Sequence, residues 1–152
     1  MIGEFLNKLD LILDETERLE QARLDEQERQ ARERALQLEK VTAFLNQQVR
    51  PVFEACAARL QEKHYPVTVH AGEQDFPSIQ ISIATRNNTD RADLRYSFDP
   101  NLRVLQRTIT GVDFGSLLSD LNGSIDWELE TPESTSRALL LFVDMHLKYW
   151  AK

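Results

Sequence analysis

Between Glu4 and Arg50 the chain contains neither glycine nor proline. These are the two residues that most disfavour a helix interior. The stretch is filled instead with Leu, Glu, Gln, Arg and Ala, all good helix formers. Opposite charges and amides recur three and four apart, as in Glu17–Gln21, Glu28–Arg32 and Glu33–Gln37, a spacing that supports a solvated helix. The pattern predicts one helix about 70 Å long at 1.5 Å per residue. A small domain is narrower than that, so much of the helix is expected to project.

Apolar residues run along it in two registers. In the second half Leu24, Ala31, Leu38, Leu45 and Val52 repeat every seven, interleaved with Glu28, Ala35, Thr42, Val49 and Cys56. In the first half the seam is Ile2, Phe5, Leu9, Ile12, Thr16 and Leu19. A heptad seam is the signature of helices that pair, and the shift of register marks either a stutter or a second helix folding back. The alternatives are a surface helix packed on its own domain and a hairpin within one chain. A coiled coil between chains is the reading adopted, with Leu24, Ala31, Ala35, Leu38, Leu45, Val49 and Val52 as the self-association residues. Pro51 either kinks this helix or starts a new one, because it lacks an N–H and disfavours helical geometry at Arg50.

After Pro51 the periodicity changes. Val67, Val69 and Ala71, then Ile79, Ile81 and Ile83, then Leu94, Tyr96 and Phe98 occupy alternate positions, as in half-buried strands. Asp99-Pro100-Asn101 is a turn signal, and a three-residue loop would set Phe98 opposite Leu102 and Tyr96 opposite Val104. Residues 113–122 suggest a short helix and residues 126–130 an edge strand. Thr131-Pro132-Glu133 reads as a helix start, with a capping hydroxyl, proline in the first turn and an acid at the positive end of the dipole. The expected fold class is therefore α+β: a long N-terminal helix over residues 1–50, and over 51–152 a small antiparallel meander sheet of about four strands covered by helices on one face.

Catalytic chemistry is not legible. His64, His70 and His146 are never three or four apart, and none adjoins the single cysteine, Cys56; zinc ligands usually come at such spacings. Asp113-Phe114-Gly115 matches the kinase magnesium triplet but lacks the companion motifs that give it meaning. Asp120, Asn122, Ser124, Asp126 and Glu128 alternate oxygen ligands around Gly123, yet Thr131 stands where a calcium loop would place its glutamate. No catalytic, cofactor or metal residue is assigned, and the chain is read as a non-enzyme without a cofactor.

Charge says more. The net charge is −7, an acidic balance that argues against nucleic acid as the main partner. Within it, Arg86, Arg91, Arg95, Arg103 and Arg107 fall in a short stretch, while residues 113–133 hold six acids and no base. In the expected hairpin register Arg95, Arg103 and Arg107 share the outward sheet face, and with Arg86 they are the candidate partner-docking residues. Glu4, Lys8 and Asp10 interrupt the apolar N-terminus, so no signal peptide is read there, and no stretch reaches the length of a membrane span. These features lead to a cytoplasmic, non-enzymatic interaction or assembly protein, a homodimer through its helix, with the α+β domain binding an unidentified protein. The alternative is a regulatory domain that binds a ligand or nucleic acid on the arginine face.

Overall fold

The computed structural model describes residues 1–73, 76–111 and 121–151, with side chains to residue 149. The architecture is α+β. By contacts the chain divides into two units, Met1–Gln37 and Leu38–Lys152.

The first unit is helical throughout. Helix α1 runs unbroken over Ile2–Phe44, so no second helix folds back at the change of register. Every residue from 1 to 36 is exposed. Arg29 is ion-paired with both Glu26 and Glu33, one turn away on either side; such exposed pairs contribute only tenths of a kcal/mol each.

The second unit begins inside α1. Val41 and Phe44 are buried there, as are Leu45 and Val49 in the π-turn that follows, Leu45–Val49. The π-turn ends with the Arg50 N–H reaching the Leu45 carbonyl five residues back. Pro51 explains the position: it has no N–H to give and sits in the first turn of α2, Arg50–Glu62, where none is needed. Helix α2 closes at His64, which takes the left-handed conformation (φ 70) while the Tyr65 N–H caps the Leu60 carbonyl at 3.0 Å. The boundary expected at residue 50 thus falls after Gln37, because residues 41–49 belong to the domain core.

Five antiparallel strands follow in meander order: β1 (Val67–Ala71), β2 (Ser78–Ala84), β3 (Arg91–Asp99), β4 (Val104–Thr110) and β5 (Gly123–Ile125). Cross-strand partners share a face. One face carries Val67, Ile79, Ile81, Ile83, Ala92, Leu94, Tyr96, Phe98, Leu105 and Ile109, all buried. Against this face lie the end of α1, α2 and α3 (Pro132–Ala151). Phe53 of α2 meets Tyr96 edge-on, ring centroids 5.8 Å apart. The start of α3 is a reciprocal cap: the Ser134 N–H donates to Thr131 Oγ1 at 3.2 Å and the Thr131 N–H to Ser134 Oγ at 2.9 Å.

The β3–β4 hairpin departs from the expected register. Its loop has four residues, 100 to 103, and Asp99 pairs with Val104, so that Phe98 faces Leu105 and Tyr96 faces Arg107. Asp99 sets the loop by accepting the Asn101 and Leu102 N–H groups at 2.9 and 3.3 Å. The left-handed residue is Arg103 (φ 56), not Asn101. Leu102 moves to the loop tip, 65% exposed. The expected edge strand at 126–130 is a turn, closed by Leu129 N–H to the Asp126 carbonyl; the fifth strand lies just before it. The short helix expected over 113–122 falls mostly outside the described residues, as do Asp113-Phe114-Gly115 and Asp120.

Candidate interaction surfaces

The hairpin register decides where the arginines go. A one-residue change of parity sends every β4 side chain to the other face. Arg107 therefore lies on the covered face, half-buried. Its Nε–H donates to the Leu121 carbonyl at 2.6 Å and Nη1 to the Tyr96 hydroxyl at 3.4 Å, which is how a cation is tolerated beside the core. Arg103 is at the loop tip. Arg86 donates to the Lys63 carbonyl at 3.1 Å and stacks over Tyr65 at 4.6 Å, tying the loop after β2 to the end of α2. Of the four candidates, only Arg95 stands on the outer sheet face. The expected shared face of Arg95, Arg103 and Arg107 does not form.

That outer face is polar and small-featured. Across the strands run Thr68, Ser82, Asp93 and Thr110; then His70, Gln80, Arg95 and Thr108; then Ser78, Ser97, Gln106 and Ser124. Arg91 joins Arg95 there; it belongs to the same arginine-rich stretch but is not among the four docking candidates, although it shares Arg95's parity on one strand. Asp93 lies between them, so the face holds mixed charge and no aromatic platform for bases.

The self-association residues also separate. Leu45 and Val49 are buried in the second unit, and Leu38 and Val52 are half-buried against its core. They are occupied by their own chain. Leu24, Ala31 and Ala35 are exposed on the first unit. The same unit also exposes Ile2, Phe5, Leu6, Leu9, Ile12, Leu13 and Leu19, between 37% and 76%. Isolated apolar residues on a surface are ordinary, whereas a contiguous set marks an interface.

A groove of about 360 Å³ lies between α2 and α3, lined by Val52, Cys56, Leu60, Leu139, Leu140 and Val143, with Arg59 and Ser136 at its polar margin. Burial pushes the Cys56 thiol pKa up, which keeps it protonated and a weak nucleophile. A further titratable group inside the domain is His146, fully buried and stacked on Phe142. Its Nε2 is 3.0 Å from the Ile83 carbonyl, which only accepts, so Nε2 carries the proton. Nδ1 has no partner. Burial lowers the His146 pKa, against the raising effects of that hydrogen bond and of Asp90 and Asp93. His70 is exposed on the outer face, away from it. Among the described residues no three His, Cys, Asp or Glu side chains converge as metal ligands, and no helix is long and apolar enough to cross a membrane.

No family model matches the chain, and no match was found among curated proteins or among solved structures.

Proposed function

We propose that this chain is a non-enzymatic interaction protein of the cytoplasm, self-associating through the helix of Met1–Gln37 and presenting the α+β domain to a protein partner. The observation that carries the proposal is the apolar stripe on the first unit. Full burial of a Leu, Ile or Phe side chain is worth roughly 1.5–3 kcal/mol. Residues such as Ile2, Phe5, Leu6, Leu13 and Leu24, exposed by about half or more, each have about 1 kcal/mol still to gain on contact with another surface. The scattering of Arg86, Arg95, Arg103 and Arg107 over four places removes the support for a nucleic-acid face. The mixed polar outer face, with Arg91, Asp93 and Arg95 alternating along one strand, suits a protein surface of complementary pattern.

Sedimentation equilibrium on the full chain tests this. The wild type is expected to be a dimer at micromolar concentration, and Leu6→Asp with Leu13→Asp a folded monomer. A wild type that stays monomeric at high micromolar concentration refutes the reading.

A further inference from the structure

We infer that the α+β domain pairs with a second copy of itself edge to edge through β1, so that the two five-stranded sheets continue into one another. This contact lies in the second unit and does not depend on the helix of the first. A strand at a sheet edge has unpaired backbone groups, and proteins usually blunt such an edge with charge, proline, a bulge or a cover. The two edges of this sheet differ. Strand β5 has only three residues. Strand β1 has five, Val-Thr-Val-His-Ala, with no Asp, Glu, Lys, Arg or Pro, and it pairs with β2 along its whole length without a bulge.

The ladder shows which groups are open. The Ala84 N–H donates to the Pro66 carbonyl at 2.9 Å and the Gly72 N–H to the Ser78 carbonyl at 2.8 Å. Even-numbered residues therefore turn their backbone groups to β2, and Val67, Val69 and Ala71 turn theirs to the open side. There Gln61 Nε2 donates to the Val67 carbonyl at 3.1 Å, which has a second lone pair to offer. Among the described residues the N–H and carbonyl groups of Val69 and Ala71 have no partner. Val69 is half-buried and Ala71 exposed, although both share the covered face with Ile81 and Ile79. The cover of that face thus thins towards this edge.

The occupant is a second copy because β1 and its flanks are their own complement. Antiparallel pairing about a twofold axis at Val69 sets Val69 against Val69, Val67 against Ala71 and Thr68 against His70. It is the one antiparallel register in which all five residues pair; the neighbouring registers set Thr68 or His70 against itself. It places open N–H groups opposite open carbonyls and carries the apolar face across the seam, the larger Val67 beside the small Ala71. Glu73 then falls opposite Tyr65 of the second copy, the ring over which Arg86 stacks at 4.6 Å. Neither Glu73 nor Arg86 has an oppositely charged partner among the described residues. The pairing brings them together twice, once on each side of the axis. One strand a side is small beside a standard protein interface, so this contact is expected above the micromolar range proposed for the first unit.

Disulfide trapping on the full chain tests the pairing. Cys56→Ala, Leu6→Asp and Leu13→Asp form the background, so that the first unit does not contribute and its own association is judged separately. Thr68 and His70 of opposite copies would be a non-hydrogen-bonded pair with Cα atoms about 4.5 Å apart, within disulfide range. Both positions are exposed on the outer face, so cysteine there leaves the core intact. Mixed at high micromolar concentration, Thr68→Cys and His70→Cys chains should join to each other. Each alone should join to itself far more slowly, because the diagonal distance is about 8 Å. Ala71→Pro in both chains removes an N–H aimed at the seam and none aimed at β2, and should cut the trapped fraction about tenfold. Self-joining of either cysteine chain as fast as the mixture would overturn the register and the inference with it. Absence of trapping, or trapping indifferent to Ala71→Pro, would show that β1 does not take a second copy and would leave this edge to a strand of another protein.

Discussion

Leu24 and Leu45 sit three heptads apart in the same row, yet they should respond very differently to truncation. Leu45 is 3% exposed and packed in the domain core, whereas Leu24 is 47% exposed. Removing a buried leucine's outer carbons costs their transfer free energy plus the cavity left behind, about 2–5 kcal/mol for Leu→Ala. The rigid β-sheet beneath Leu45 limits collapse, which favours the middle of that range. A domain of this size is stable by about 5–15 kcal/mol in all, so Leu45→Ala removes a large share. At a urea slope of about 1.5 kcal/mol/M, a loss near 3 kcal/mol lowers the midpoint by about 2 M. Leu24→Ala, at a solvated position, should stay within about 0.5 kcal/mol when the protein is dilute.

The assay is urea unfolding at two protein concentrations, following Trp127, whose ring is 6.1 Å from that of Phe44. Leu45→Ala should shift the transition equally at both concentrations, because the contact is within one chain. Equal shifts for the two variants, growing with concentration, would show that Leu45 belongs to an interface between chains. That would refute the placement of residues 41–49 in the domain core.

Thr131→Ala should destabilise the domain by about 1 kcal/mol through loss of the α3 cap, and Thr131→Ser should recover most of it. Arg107→Leu should cost about 1–3 kcal/mol, since it strips hydrogen bonds from the Leu121 carbonyl and the Tyr96 hydroxyl in a covered place; no loss in urea unfolding would mean water replaces both. His146 has a folded-state pKa below its ordinary 6.5 because burial favours the neutral ring. Its contribution is therefore complete above 6.5 and is lost as the pH falls through that value towards the lowered one. The urea midpoint should fall between about pH 7.5 and about pH 5.5, and His146→Phe should flatten that fall; an unchanged slope would assign it to other groups.

Much of the domain was legible because its elements are specified locally. Ile79, Ile81 and Ile83 announce β2 by period alone, and Thr131-Pro132 announces α3 by cap chemistry. The hairpin was misread for a physical reason. A three-residue loop kept charge off the covered face, and a rule against burying arginine selected it. The chain instead uses Asp99 to hold a four-residue loop and satisfies Arg107 with a carbonyl fourteen residues away. That carbonyl, of Leu121, is remote in sequence, so no local pattern could reveal that Arg107 would be accommodated. With the register went the arginine face, since parity carries all of β4 at once.

The limit of the helical first unit was illegible for a related reason. A heptad row records that a helix side is apolar, not what covers it. From Leu24 through Ala31 to Leu38, Leu45 and Val52 the row continues without a mark, while its cover changes from solvent to the chain's own sheet. What does change is side-chain volume: two alanines, Ala31 and Ala35, stand just before the point where Val41 and Phe44 enter the core. Alanines contribute little to a core they do not touch.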